Sequence, residues 1–373
     1  MSPPVASQTG RMQLPLVRVA LFALTAAAAL YFGFLHFPVP AALNLVRNGG
    51  YYVILLTFVL WLGTLWRLRA SPGAGAPVQR KPGDRLLAAG VIGFFTVLAL
   101  CHETFRSKIL FDEYVLQSTA YNLHFFRDNS AMVRGYDIQG VFLSTDSYVD
   151  KRPVFFAFLL SLVHDVTGYR PGNVFVLNAG LFMAVLALVW RLGERLNGRR
   201  GALLATGLLG SLPLLAQNAT GAGMELLNLG MLLLVIWQAA QWLERPDEAH
   251  LSAFVLSVIL LVQSRYESAL YALPVAGAIL LGWWRVRRVV VSWAVIAAPL
   301  LFIPVALQQK IISNTPAMWE LRENQTSRFS VDYLEGNLAG AWKFFSSYGI
   351  THANSLLLGP LGFLALFLVG CRL

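Results

Sequence analysis

Charge is scarce in this sequence: 13% of the 373 residues are Asp, Glu, Lys or Arg, only 19 are acidic, and 57% are hydrophobic. So thin a polar complement cannot clothe a soluble domain, and a mean hydropathy of +0.60 makes the bilayer the natural solvent. Cysteine is nearly absent. Cys101 and Cys371 are the two, and they are expected at opposite membrane faces, which excludes an intramolecular disulfide and leaves them as packing residues. No HExxH, CxxC, Walker-type glycine loop or GxSxG occurs, so zinc protease, dithiol redox, ATPase and ordinary serine hydrolase chemistry have no motif to stand on. A sequence repeat at roughly 20–50 residues is also missing, which counts against an inverted-repeat transporter.

What fills the chain is apolar runs bounded by charge, Gly and Pro. They cover Leu16 to His36, Tyr51 to Arg67, Leu86 to His102, Val154 to Thr167, Asn173 to Leu192, Gly201 to Gln217, Met224 to Leu243, Leu251 to Ser264, Ser268 to Trp284, Val289 to Leu307 and Ser355 to Gly370. A hydrocarbon core about 30 Å thick needs roughly 20 apolar residues per helical span. The first run is long and lacks a clean cleavage site, so it is expected to be a retained helix rather than a signal peptide. The fold expected is an all-α polytopic membrane protein.

The net charge of +10 does not point to nucleic acid, because the arginines sit at the ends of apolar runs rather than over a basic face. Arg67, Arg69, Arg80, Lys81 and Arg85 fill one loop, Arg191, Arg195, Arg199 and Arg200 another, and Arg285, Arg287 and Arg288 a third. The positive-inside rule makes all three cytoplasmic. Parity then allows only one crossing between the long loop 103–152 and the second of these. The short run from Val154, which carries His164 and Asp165 near its end, is expected to be re-entrant or interfacial, leaving about ten spans. Both termini come out cytoplasmic, and loops 103–152 and 308–354 come out on the outer face. Residues 1–85 form an N-terminal two-helix hairpin with a Pro-, Gly- and Ala-rich linker, and residues 86–373 form the main transmembrane module.

The outer loops hold the residues able to do chemistry. Val115, Leu116, Thr119, Ala120, Leu123 and Phe126 share one helical face, with Glu113, Gln117, Asn122 and His124 largely elsewhere, as in an amphipathic helix lying on a membrane. Asp112 and Glu113 open that helix, where a carboxylate caps the exposed N–H groups or serves as a base or cation ligand. Lys151 and Arg152, before Pro153, put two cations at headgroup depth, suited to a phosphate or to simple anchoring. Arg265 interrupts apolar sequence beside Glu267. An ionisable group there pairs with a neighbour or lines a cavity. Glu225 enters a span and serves either as a second active-site carboxylate or as a polar partner in the bundle. Arg322, Glu323, Asn324, Gln325 and Arg328 with Phe329 form a polar cluster able to close over a site. His102 with Glu103 is a weak metal pair of the kind usually solvated, and two Asn-x-Thr sequons, at Asn218 and Asn324, carry no assigned role.

Taken in order, Phe111-Asp112-Glu113, Asp150-Lys151-Arg152-Pro153 and Arg195-Leu196-Asn197-Gly198-Arg199-Arg200-Gly201 resemble the GT-C class of polyprenyl-phosphate-sugar glycosyltransferases. The branch is that of lipid A aminoarabinose transferases, protein O-mannosyltransferases and bacterial RgtA-like enzymes. The resemblance runs from about Leu86 to Gly370. It implies a GT-C-like helical bundle, a catalytic Asp at Asp112 with Glu113 beside it, a second acidic position at Glu225, and donor-phosphate contacts at Lys151, Arg152, Arg265 and Arg328. Glu225 stands where aspartate is the more usual type. Asn324 and Gln325 stand where related enzymes often carry a metal-binding histidine, so a divalent cation, magnesium or manganese, at Asp112 is left open. No soluble domain follows Gly370, as expected of a short family member or an incomplete chain.

What the resemblance implies is inverting transfer of a sugar from a polyprenyl-phosphate-linked donor to a hydroxyl on a glycan, lipid or protein. The setting is the outer face of a bacterial-type inner membrane, among membrane lipids and without nucleic acid. The competing reading is a secondary transporter or lipid flippase, with Glu225 and Arg265 as mid-membrane binding residues. A structural membrane subunit is a third.

Overall fold

The computed structural model describes residues 15–70, 82–314, 330–346, 361, 362 and 364. The chain is an all-α polytopic membrane protein. Among the described residues, seven helices are long and apolar enough to cross a bilayer. Helix α1 (Leu16–Leu30) ends in a π-helical turn, Tyr31–His36, and α2 (Val39–Ala70) follows almost at once. Helix α3 (Pro82–His102) leads to α4 (Leu110–Phe126), a hairpin of β1 (Ala131–Ile138) and β2 (Val141–Tyr148), and the short α5 (Phe155–Thr167). Helices α6 (Asn173–Gly210), α7 (Pro213–Ala219), α8 (Glu225–Glu244), α9 (Glu248–Val262), α10 (Ala272–Val286), α11 (Trp293–Leu301), α12 (Ile303–Ser313) and α13 (Leu334–Ser346) complete the order.

The expected break between Leu192 and Gly201 is present inside α6. Asn197 and Gly198 leave helical geometry, and Gly198 takes φ +57°, a region open to glycine at little cost. The chain folds back there so tightly that a methyl group on Gly193 would lie 2.6 Å from the carbonyl oxygen of Gly201. One 38-residue helix is thus two antiparallel passages. The run from Val154 forms a helix shorter than the candidate spans. Helix α5 has 13 residues, about 20 Å at 1.5 Å per residue, and Gly168 at φ +79° stops it before α6 begins. The run Ser355 to Gly370 lies largely outside the described residues.

Helix α9 is the centre of the bundle. It is apolar on every side, and twelve of its fifteen residues are buried, as a helix surrounded by others must be. Asp247 caps it, its carboxylate accepting from the amides of Ala249 and His250 at 2.9 Å each. Around it pack Phe155, Phe156 and Phe158 of α5, Leu227 and Trp242 of α8, and Tyr51 and Ile54 of α2. The N-terminal pair of helices is joined to this core: Trp61 donates to Ser257 Oγ at 2.9 Å, and Arg18 pairs with Glu248.

Two features were not expected from the sequence. Helix α2 begins twelve residues earlier than the apolar run, and its polar stretch receives the α4–β1 loop: Asn129 N donates to Arg47 O at 2.8 Å, and Arg47 Nε donates to Asp128 at 2.7 Å. The antiparallel β-hairpin is the second, turning through Gln139 and Gly140 at φ +55° and +81°. The face of α4 also differs in detail. Val115, Leu116, Thr119, Ala120 and Leu123 are buried as expected, but Phe126 is exposed, and Glu113 and Asn122 share the buried side. That face meets protein, chiefly α5, with Asp165 accepting from Arg127 at 2.9 Å and lying 2.6 Å from His124 Nδ1.

Candidate active site

Four loops converge at one end of the bundle, and backbone hydrogen bonds tie them together. Phe155 N donates to Gln263 O at 3.1 Å, joining the start of α5 to the end of α9, and Arg106 N donates to Thr220 O at 3.2 Å, joining the α3–α4 loop to the α7–α8 turn. Asn178 secures that turn from α6, its amide reaching Gly221 O at 2.8 Å and Gly223 O at 3.0 Å. The elements carrying Asp112, Arg152, Glu225 and Arg265 therefore share one locus.

At its centre the Arg152 guanidinium, 5% exposed, lies between two carboxylates, pairing with Asp112 and with Asp150 Oδ2 at 2.7 Å. Asp150 also accepts from Arg152 N at 2.9 Å and from the Tyr148 hydroxyl at 3.3 Å. Gln308 of α12 closes the arrangement from behind, donating to the carbonyls of Asp150 at 2.7 Å and Arg152 at 3.0 Å. Burial, reinforced by the Asp150 charge, pushes the Tyr148 phenol up to about 12, so it stays a hydrogen-bond donor. A cation this enclosed persists only because its partners are fixed. Asp150, Tyr148 and Gln308 are the positioning residues the sequence did not single out. The Asp-Lys-Arg-Pro run flagged Asp150 only as part of a motif, and nothing local marked the other two.

The adjacent acidic residues have opposite surroundings. The Asp112 side chain is 47% exposed on the site's open side. Glu113 is 2% exposed, and its carboxylate accepts from the amides of Lys108 at 2.5 Å, Ile109 at 3.2 Å and Ala222 at 2.9 Å. Glu113 therefore fastens the start of α4 to the α7–α8 turn. Arg265 and Glu225 do come together, but loosely: Nη1 to Oε1 is 3.8 Å, with Arg265 Nε to Glu267 at 2.9 Å, and all three side chains are about one third exposed or more. Asn228 braces the segment, accepting from Ser264 at 2.9 Å and Ser268 at 2.6 Å. Arg152 lies within electrostatic reach of Tyr266, next to Arg265. Lys151 is half-buried beside Arg152. Arg328 and the cluster from Arg322 to Phe329 lie outside the described residues.

Residues 151–307 match the family model of the dolichyl-phosphate-mannose-protein mannosyltransferases. The chain is similar there to a GT-C-type glycosyltransferase. That match bears out the resemblance carried by the residues and supports an enzyme that takes a sugar from a polyprenyl-phosphate carrier. The matched segment opens on Lys151, Arg152 and Pro153 and contains Glu225 and Arg265, while Asp112 and Glu113 precede it. No curated protein and no solved structure matches the chain.

The carboxylates that could hold a divalent cation here are Asp112 and Asp150. The Arg152 guanidinium holds the place between Asp112 and Asp150 that a cation would take, and among the described residues no three His, Cys, Asp or Glu groups gather as a ligand set.

Proposed function

We propose that the chain transfers a sugar, with inversion, from a polyprenyl-phosphate donor to a hydroxyl acceptor at the outer face of a bacterial-type plasma membrane. The observation that carries this reading is the Asp112–Arg152–Asp150 triplet: one half-exposed carboxylate beside a buried, immobilised guanidinium. Asp112 acts as base. As the acceptor oxygen attacks the anomeric carbon, its proton passes to the Asp112 carboxylate, and the bond from that carbon to the phosphate oxygen breaks with its electron pair staying on the phosphate. The leaving phosphate gains negative charge at that moment, and Arg152, Lys151 and Arg265 are the cations that meet it, Arg152 already oriented. Inversion follows from attack on the face opposite the phosphate. Glu113 positions Asp112, and Glu225 tethers Arg265.

The outer-face assignment rests on charge. Asn173 and Asn178 belong to the site end, whereas the turn at Asn197 with Arg195, Arg199 and Arg200 is about 30 Å further along α6 at 1.5 Å per residue. Both termini then face the cytoplasm.

The test is release of free polyprenyl phosphate by protein in lipid vesicles, offered a panel of polyprenyl-phosphate sugars and candidate glycan, lipid and protein acceptors. Acceptor-dependent release, reduced by about 100-fold or more in Asp112→Asn with the melting temperature kept, is expected. No turnover with any donor, together with passage of labelled lipid across the bilayer in both proteins, would replace this reading with that of a flippase.

A further inference from the structure

The face of α4 turned away from the core forms one wall of a cavity that the reaction above leaves unused. Tyr114, Gln117, Ser118 and Tyr121 recur along that face and line about 440 Å³ of open space. The hairpin supplies the opposite wall through Met132, Arg134, Gly135 and Phe142, and Tyr169 closes one end. The wall depends on a glycine. A methyl group on Gly135 would fall 2.2 Å from the Phe142 ring and 2.9 Å from the Leu143 carbonyl, so Phe142 lies across the strand only because position 135 has no side chain. The strand register is irregular at Met132, Arg134 and Gly135, the kind of bulge that redirects side chains near functional sites.

The rings are held in fixed orientations. Tyr121 meets Phe142 edge-on at 5.8 Å and Tyr169 at 5.0 Å, with interplanar angles of 87° and 89°, and its hydroxyl donates to Phe142 O at 3.4 Å. Perpendicular aromatic faces set among an amide, a serine hydroxyl, phenols and one guanidinium suit a ligand with apolar C–H faces and a rim of hydroxyls. Gln117 and Ser118 donate to the carbonyls of Glu113 and Val115 at 3.3 and 3.0 Å, and each keeps a side-chain oxygen able to accept from a ligand hydroxyl. The cavity begins at Tyr114, two residues past Asp112 on the same helix.

We propose that this cavity binds a saccharide ring of the acceptor, stacking it on Tyr121 and Phe142 and holding its hydroxyls with Gln117, Ser118 and Arg134, so that the acceptor is a glycan. The acceptor role rests on the transferase reading; saccharide binding does not.

The experiment is saturation-transfer NMR on the full chain in lipid nanodiscs without donor, using maltotriose, cellotriose, chitotriose and trigalacturonate as probes. Transfer from the protein to at least one probe is expected, falling about fivefold or more in Tyr121→Ala and Phe142→Ala and holding in Tyr121→Phe, where the ring is kept. Thermal melts of all variants check folding, and the Tyr121→Phe comparison separates lost stacking from lost structure. Transfer to none of the probes, or transfer equal in wild type and both alanine variants, overturns the proposal. Donor consumption by the wild-type protein is scored separately. Saccharide binding without donor turnover sinks the transferase and keeps the cavity, whereas donor turnover without saccharide binding does the reverse.

Discussion

Arg152 and Arg265, both at the site end, differ in how tightly they are held. Arg152 is 5% exposed, clasped by Asp150 and Asp112, with its backbone fixed by Gln308. Arg265 is 36% exposed, with Glu267 at 2.9 Å and Glu225 at 3.8 Å. On the proposed function, the same residue type serves two physical roles. A buried guanidinium in fixed geometry loses no freedom when a phosphate forms, which favours the transition state. A half-exposed one, screened by water, is free to follow a ligand in and out and contributes mainly to capture.

Breaking the tight half should have the largest effect. Arg152→Ala is expected to lower kcat about 1,000-fold, and because Asp150 is left buried without its partner, to destabilise the protein by about 3–5 kcal/mol. Paired kinetics and thermal melts check both. Glu113→Ala comes next: it leaves the amides of Lys108, Ile109 and Ala222 without their acceptor, at about 2–3 kcal/mol or more. Its melting temperature should fall further than that of Asp112→Asn, and equal melting temperatures would dissolve the distinction between the neighbouring carboxylates.

In the loose half, Arg265→Ala is expected to raise KM for the donor about tenfold with kcat changed less than threefold and stability unaltered. A kcat loss as large as that of Arg152→Ala would erase the contrast. The smallest effect belongs to Tyr148→Phe, with turnover at neutral pH within about twofold, since one long hydrogen bond, 3.3 Å, to a carboxylate already paired with Arg152 is removed. Its signature is in pH. The Tyr148 phenol titrates higher in the folded protein than in the unfolded chain, so its contribution to stability is whole below about pH 10 and declines as pH rises through about 12. Stability measured across that window should fall less steeply in Tyr148→Phe than in wild type.

How much of this was legible from sequence depends on how far apart in the chain the partners lie. Spans were legible because a bilayer imposes a length and a composition on each run independently, and the turn at Asn197-Gly198 because its arginines mark it locally. Asp112, Arg152 and Arg265 stood out as charges in apolar surroundings. For Glu113, capping at the start of the helix was legible because Lys108 and Ile109 are close in sequence, but its hold on Ala222, 109 residues away, was not. The early start of helix α2 was hidden because Arg47, Asn48, Gly49 and Gly50 look like a break before Tyr51. Gly50 instead admits Asn129 against the helix, the Asn129 amide lying 2.9 Å from where a methyl group would sit. The hairpin carried a faint signal in Gln139-Gly140 between two stretches of Val, Tyr, Ile, Phe and Leu, which a search for 20-residue runs passes over.

Gln308 grips the carbonyls of Asp150 and Arg152 from 158 and 156 residues downstream. During synthesis the arginine loop emerges long before the helix that will hold it, and it stays unbraced until the chain is finished through α12. A chain that stops short of Gln308 can insert most of its helices and still have no working centre. The helix that braces the arginine is thus made some 150 residues after the loop that it braces.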